Sequence, residues 1–131
     1  MVGFLGRTPP RDRRKVVILG GGFAGLSAAL ELDARRHDVT LVDRSRSFEW
    51  LPNIHELLSG VKTPELLRLP LERIVRGAGH RFVCDEITGI DPAARRVATR
   101  RRRTALRYDA LIVGRGGIDA THGVAGVVEH A

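Results

Sequence analysis

Three glycines and one aspartate have the residue types and the spacing needed to hold the phosphates and the ribose of a nucleotide. Gly20, Gly22 and Gly25 fit the pattern G-x-G-x-x-G, and Asp43 follows 18 residues after the last of them. Glycines in this pattern allow a tight turn, the approach of a pyrophosphate to bare backbone and close packing of a helix. A carboxylate at the position of Asp43 can accept hydrogen bonds from a ribose diol. The four residues therefore predict a dinucleotide site.

The elements that must position these residues are a strand, a turn, a helix and a second strand. Residues 16–19 form an apolar, mostly β-branched run of the kind found in buried parallel strands. We predict a helix over 23–36, whose first N–H groups and positive dipole end face the phosphates, and a strand over 39–42. A loop that merely turns the chain is a weaker interpretation, because the strand, the helix and the acid all occur where a dinucleotide fold requires them.

The acid also restricts which nucleotide fits. A carboxylate at Asp43 repels a 2′-phosphate, so the pattern favours the plain adenosine of FAD or NAD over that of NADP. The sequence offers no pairing of a nucleophile with a base and no cluster of metal ligands, so we assign no catalytic residues and no metal site.

The remaining pattern predicts an α/β fold. After an irregular segment we expect a short helix near 53–58 and a helix that starts at 63–65 and restarts at Pro70. Residues 81–84 and 87–90 together predict a third strand. An antiparallel ribbon around Val97 and 106–108 carries Arg100–Arg103 at its tip, and a buried strand follows at 110–113. This order predicts a Rossmann-like parallel sheet with helices on one side and an antiparallel β-meander on the other.

Composition and charge narrow the function classes. The chain has 131 residues, of which 43% are hydrophobic, and one cysteine, Cys84, so it has one domain and no internal disulfide. The net charge of +7 is concentrated in residues 1–15 and 95–107. We expect 1–14 to be a disordered basic arm and Arg100–Arg103 to be a solvated hairpin tip. Without a signal peptide or a membrane-spanning run, we expect a cytoplasmic protein that does not bind nucleic acid.

Four segments, at 16–26, 39–43, 85–91 and 108–114, resemble the FAD-binding half of flavoproteins with two dinucleotide domains. Among these the chain is most similar to type II NADH:quinone oxidoreductases, and its ending at 123–131 resembles the point where that family leaves its FAD half. The resemblance covers residues 15–131 and implies FAD as cofactor, NADH as co-substrate and a quinone or another acceptor as partner. It also implies possible peripheral contact with the cytoplasmic membrane face in a full-length protein.

The resemblance further implies roles for particular residues. Five residues of the glycine turn would surround the pyrophosphate, Asp43 would hold the ribose, and the backbone at Glu86 and Ile87 would touch the adenine. Leu51, Pro52 and the turn after them would approach the flavin ring. The strand-end glycine of the family corresponds to Gly116, beside Arg115, where the family usually has Ala-Thr-Gly or Ala-Leu-Gly. The full set of cofactor-binding residues expected is Gly20, Gly22, Phe23, Ala24, Gly25, Asp43, Arg44, Pro52, Glu86, Ile87, Arg115 and Gly116.

Residues 15–131 would form an incomplete FAD-binding domain, because the second glycine fingerprint for NADH and the later portions of the family are missing. Three interpretations remain open at this point. In the first, the chain is the FAD-binding portion of an NADH:quinone-type oxidoreductase, either as a fragment or as a truncated product without turnover of its own. In the second, it is a non-catalytic module that binds FAD or NAD. In the third, its arginine tracts bind nucleic acid.

Overall fold

The computed structural model describes residues 13–50, 52 and 55–117. The first half contains two long strands around one helix, and the second half contains mostly short strands. In chain order the elements are β1 (Arg14–Leu19), α1 (Phe23–Glu31), β2 (His37–Asp43), β3 (Ser47–Glu49), α2 (His55–Leu58), a 3₁₀ helix (Pro64–Leu67), β4 (Arg68–Pro70), α3 (Leu71–Gly77), β5 (Arg81–Cys84), β6 (Ile87–Asp91), β7 (Arg96–Thr99), β8 (Leu106–Arg107) and β9 (Ala110–Val113).

Four of the strands form a parallel sheet in the order β5-β2-β1-β9. In this sheet Leu19 pairs with both Val42 and Val113, and Asp43 pairs with Cys84. The carboxyl ends of all four strands therefore meet at one edge, the place where open parallel sheets bind ligands. We call this the carboxyl edge, and we call the opposite side, where the strands begin, the amino edge.

Helices cover one face of the sheet and a three-stranded meander covers the other, as the sequence predicts. Alternate residues of each strand point to opposite faces, so the two faces have separate cores. The meander is antiparallel in the order β6-β7-β8, and Val97 is its fully buried contact. The helix-side core contains Val16, Ile18, Val39, Leu41, Leu26, Ala29, Phe48, Leu71 and Val75, and the meander-side core contains Val17, Leu19, Val42 and Val97.

The predicted helix over 23–36 is too long. Helix α1 ends at Glu31, and Leu32 is already extended. The side chain of Asp33 accepts the N–H of Arg35 at 2.8 Å, and its carbonyl accepts the N–H of His37 at 2.9 Å. Aspartate competes in this way for backbone donors, so a turn replaces the last helical turns and β2 starts earlier, at His37.

The predicted third strand is two strands in different sheets. Strand β5 pairs with β2 in the parallel sheet, whereas β6 pairs with β7 in the meander. Between them the Asp85 carboxylate accepts the N–H groups of Glu86 and Arg101, which turns the chain out of the parallel sheet. The antiparallel pairing of β3 with β4, between Ser47–Glu49 and Arg68–Pro70, was not predicted.

The predicted ribbon and the strand at 110–113 are confirmed as β7–β8 and β9. The helix predicted from 63–65 is a 3₁₀ helix, and α3 begins directly after Pro70 as expected. None of the helices in the described part of the chain has the length and apolar character needed to cross a membrane.

Candidate dinucleotide-binding site

Glycines allow β1, α1 and β9 to meet closely at the carboxyl edge. Gly20 has φ +97°, which disfavours other residues, and its N–H donates to the carbonyl of Val42 at 2.8 Å. A side chain at Gly25 would collide with the Gly20 carbonyl, and one at Gly114 would lie 2.8 Å from the nitrogen of Gly25. Gly20 and Gly25 thus have the turning and packing roles expected. Sequence reasoning missed Gly114, although it follows β9 as Gly20 follows β1.

The Asp43 carboxylate is fixed against the glycine turn. Its Oδ2 accepts the N–H of Gly21 at 2.6 Å, and its Oδ1 accepts the N–H of Ser45 at 2.6 Å. An ionised carboxylate has about four acceptor positions, so two remain for a ligand. The contact with Gly21 was not anticipated, and it places the carboxylate beside the turn where a ribose linked to a bound pyrophosphate belongs.

Gly22 is the glycine that packing does not explain. A Cβ built on it would meet no atom within 4 Å, and its φ of −74° suits other residues. It is the N-cap of α1 and makes no side-chain cap, and the N–H groups of Phe23 and Ala24 have no acceptor among the described residues. Free donors and an open, side-chain-free space at a helix N-terminus fit a pyrophosphate.

Three aromatic rings form a ledge beside the start of α1. The ring of Phe23 lies 4.9 Å from that of Phe48 and 5.5 Å from that of Trp50. Phe48 is buried, as expected of a core residue, whereas Phe23 and Trp50 are 47% and 42% exposed. The ledge joins the segment that contains Trp50 to the glycine turn, so a planar ligand group on the turn would find exposed aromatic surface nearby.

The segment after β5 is held by its own hydrogen bonds. The N–H of Glu86 donates to Oδ1 of Asp85 at 2.8 Å, and the carbonyl of Glu86 accepts the N–H of Arg100 at 2.9 Å. Ile87 is half-buried and pairs with Thr99 in the meander. The predicted adenine contact at Glu86 and Ile87 therefore has to use the remaining lone pair of the carbonyl or apolar surface.

Asp85 itself is buried, with 5% of its surface exposed. Burial raises the pKa of its carboxyl, but hydrogen bonds, including those from the N–H groups of Arg101 and Glu86, outweigh this effect and hold the pKa below its usual value. The main-chain N–H of Asp85 donates to the carbonyl of Asp43 at 2.9 Å. Asp85 thus connects the end of β2 to Arg101, at the tip of the β7–β8 ribbon. The sequence analysis gave Asp85 no role.

The other predicted residues lie at or near the same edge with fewer fixed contacts. Arg44 is exposed, and its carbonyl accepts the Cys84 thiol at 3.5 Å. Arg115 is exposed, and Gly116 has φ +71° with open space around it. Pro52 is exposed, whereas Leu51 and the turn after Pro52 (53–54) lie outside the described residues, as do the predicted ending at 123–131 and residues 1–12 of the predicted arm (1–14). The last residue of that arm, Arg14, begins β1.

Comparison with known protein families agrees with this geometry. Residues 14–131 match the family described as pyridine nucleotide-disulphide oxidoreductase. The chain is 34% identical over 125 residues to a type II NADH:quinone oxidoreductase of Staphylococcus epidermidis, and 30% identical to one of Staphylococcus aureus. Each alignment covers 92% of this chain and 31% of the relative, so the chain spans about a third of the length of these relatives.

Solved structures show the same fold. NDH2 of Plasmodium falciparum in complex with NADH superposes with a TM-score of 0.79 at 24% identity, over 92% of this chain and 26% of that one. The sulfide:quinone oxidoreductase of Aquifex aeolicus superposes with a TM-score of 0.72 at 27% identity, over 79% of this chain and 24% of that one. The resemblance stated from sequence is confirmed, and the predicted cofactor, FAD, agrees with the family.

Proposed function

This chain belongs to the pyridine nucleotide-disulphide oxidoreductase family, and we propose that it is the FAD-binding portion of an NADH:quinone-type oxidoreductase. The full reaction passes hydride from NADH to the flavin and then electrons to a quinone or a related acceptor. The names of the Staphylococcus relatives, which contain both NADH and quinone, support this choice of substrates. We also propose a cytoplasmic location, with membrane contact confined to a longer form of the protein.

One observation carries the proposal more than any other. Gly22 lies in open space at the start of α1, with the unpaired helix donors on the residues that follow it and with Gly21, which precedes it, bonded to the carboxylate of Asp43. Because no protein atom lies within 4 Å of where a Cβ on Gly22 would be, this space is available to a ligand. A diphosphate there interacts with the N–H groups and the positive end of the helix dipole.

Each part of the site then has a task that its chemistry supports. The N–H groups of Phe23 and Ala24 bind phosphate oxygens, and the free lone pairs of Asp43 accept hydrogen bonds from the ribose diol. The same carboxylate repels a 2′-phosphate, which favours FAD over an NADP-type nucleotide. FAD, when bound, supplies the two-electron carrier, and the residues of this chain hold it in place and orient it.

The aromatic ledge supports FAD rather than a bare adenine nucleotide as the ligand. Phe23 and Trp50 expose nearly half of their surfaces next to the phosphate position. A flavin extends from the pyrophosphate on the side opposite to the adenosine, so it can cover this surface, whereas ADP has no group that reaches beyond the phosphates. The ledge therefore favours a ligand with an aromatic group at each end.

Calorimetric titration of the chain with FAD, NAD and ADP tests the proposal. We expect FAD to bind most tightly and to give a yellow protein with flavin absorbance after gel filtration. Tighter binding of ADP or NAD than of FAD would instead support a non-catalytic nucleotide-binding module. A folded chain that takes up none of the three ligands would contradict both interpretations.

A further inference from the structure

A second charged region lies at the amino edge, away from the proposed cofactor site. Two adjacent clefts open there, where the starts of β1, β2 and β5 face the end of β8. The larger has a volume of about 410 Å³ and contains Arg13, Arg14 and Arg95, and the smaller has about 260 Å³ and contains Lys15, Arg81 and Arg107. We call the two together the amino-edge crevice.

The crevice holds more positive charge than its own carboxylates can balance. Among the described residues, two acids line it, and both are already engaged. Asp38 accepts a hydrogen bond from Arg81 at 3.1 Å, and Asp109 accepts the main-chain N–H of Lys15 at 2.7 Å. Within the described part of the chain, six cations therefore face two carboxylates in the crevice. Like charges held together in this way attract an anion from solution.

The cross-strand register of the meander places a further positive charge beside Arg107, one of the crevice residues. Arg96 of β7 and Arg107 of β8 are directly paired, and both are exposed. Like charges placed opposite each other on a sheet are destabilising. Neither arginine forms an ion pair within the described residues. An anion bound beside Arg107 would relieve this repulsion.

Arg95 is held in the left-handed backbone conformation, which glycine adopts more easily than arginine. It has φ +50° and is the sole non-glycine residue with a positive φ in the described part of the chain. Its carbonyl accepts the N–H of Tyr108 at 3.1 Å, so the pairing of the ribbon maintains this conformation. Backbone strain of this kind is concentrated at functional sites. Here the strain places a guanidinium in the larger cleft, where glycine would place nothing.

We propose that the amino-edge crevice binds an anion that carries several phosphates. A guanidinium group can donate two parallel hydrogen bonds to two oxygens of one phosphate. Two adjacent clefts can hold two linked phosphates, whereas a single carboxylate would fill only one of them. Single-stranded nucleic acid fits less well, because it needs aromatic surfaces for its bases. In the described part of the chain, the aromatic rings with large exposure are those of Phe23 and Trp50, which lie at the carboxyl edge. The site does not depend on the proposed cofactor.

Titration of the chain with inorganic tripolyphosphate, saturated with FAD where FAD binds, tests the proposal. We expect one anion per chain and an affinity at least tenfold lower in Arg107→Gln and in Arg95→Gly. Two matched variants, Arg73→Gln on α3 and Arg102→Gln at the hairpin tip, remove the same charge outside the crevice and should change the affinity less than twofold. Gly22→Val, which alters the carboxyl edge, should leave tripolyphosphate binding unchanged.

Thermal melting without the anion shows whether the variants remain folded. Arg107→Gln removes repulsion and Arg95→Gly relaxes φ, so neither should lower the melting temperature. Competition with phosphatidylglycerol vesicles distinguishes the sources of phosphate: displacement of tripolyphosphate indicates a lipid headgroup, and no displacement indicates a soluble anion. Absence of binding, an equal loss in all four arginine variants, or tighter binding of an oligonucleotide than of tripolyphosphate would overturn the proposal.

Discussion

The N–H of Gly21 donates a 2.6 Å hydrogen bond to Oδ2 of Asp43, across 22 residues of sequence. The second residue of the glycine turn is thereby joined to the end of the neighbouring strand. Hydrogen bonds to charged groups are stronger than those between neutral groups. The carboxylate therefore both shapes the turn and is positioned by it, which leaves its remaining lone pairs directed by the protein.

Replacement of Asp43 by asparagine should weaken FAD binding by roughly 1–3 kcal/mol, because charge-assisted hydrogen bonds to the diol become neutral ones. Fluorescence titration with FAD measures the change. Asp91→Asn is the matched control, since Asp91 likewise accepts a backbone N–H, that of Ala94 at 2.8 Å, on an exposed turn. Equal affinity of Asp43→Asn and the parent chain would remove Asp43 from the site.

Gly22→Val should abolish FAD binding and leave the fold intact. The valine side chain enters open space, where it blocks a pyrophosphate, and the expected loss of stability is only about 1 kcal/mol for a poor N-cap residue. Flavin absorbance after gel filtration, with circular dichroism to verify folding, measures both effects. An undiminished flavin spectrum would show that the phosphates lie elsewhere.

Gly25→Ala should differ from Gly22→Val, because it should destabilise the fold itself and not only remove FAD binding. Its methyl group would collide with the backbone carbonyl of Gly20, which cannot move without shifting the turn. Overpacking typically costs about 1–3 kcal/mol, and a collision with rigid backbone places this substitution at the upper end of that range. Urea denaturation compares it with Gly22→Val, and similar midpoints for the two variants would contradict the division of roles between these glycines.

Asp85→Asn should destabilise the chain at neutral pH and much less in acid. The folded-state pKa of Asp85 lies below its usual value, so its ionised form contributes stability above the ordinary aspartate pKa of about 4, and this contribution is lost as the pH falls through the lower folded-state pKa. Urea denaturation at pH 7 and pH 3 measures the gap in the free energy of unfolding between parent and variant. A gap that stays constant between the two pH values is the contrary result.

Val97→Ala should cost about 2–3 kcal/mol, because Val97 is fully buried and is the main residue through which the meander packs on the sheet. Val61→Ala, at a position that is 71% exposed, is the control and should stay within about 0.5 kcal/mol. Urea denaturation distinguishes the two. Equal midpoints would show that the meander is not anchored at Val97.

The sequence predicted those features that depend on neighbouring residues. The apolar runs at 16–19 and 39–42 predicted buried parallel strands, and in the structure β1 and β2 pair in parallel with both runs buried. The glycine spacing predicted the turn and the close packing at Gly25. The helix end was missed because Asp33 competes for backbone donors, an effect that helical periodicity does not register.

Only the tertiary structure decided which residues distant in sequence contact each other or form hydrogen bonds. The contact of Gly114 with Gly25, the division of the third strand at Asp85 and the bond from Gly21 to Asp43 all depend on strand order and on how the chain crosses between sheets. The grouping of arginines from β1, β5 and β8 at the amino edge has the same origin. Local spacing determines periodicity and turns, whereas hydrogen bonds and charge clusters between elements arise only when the strands are placed side by side.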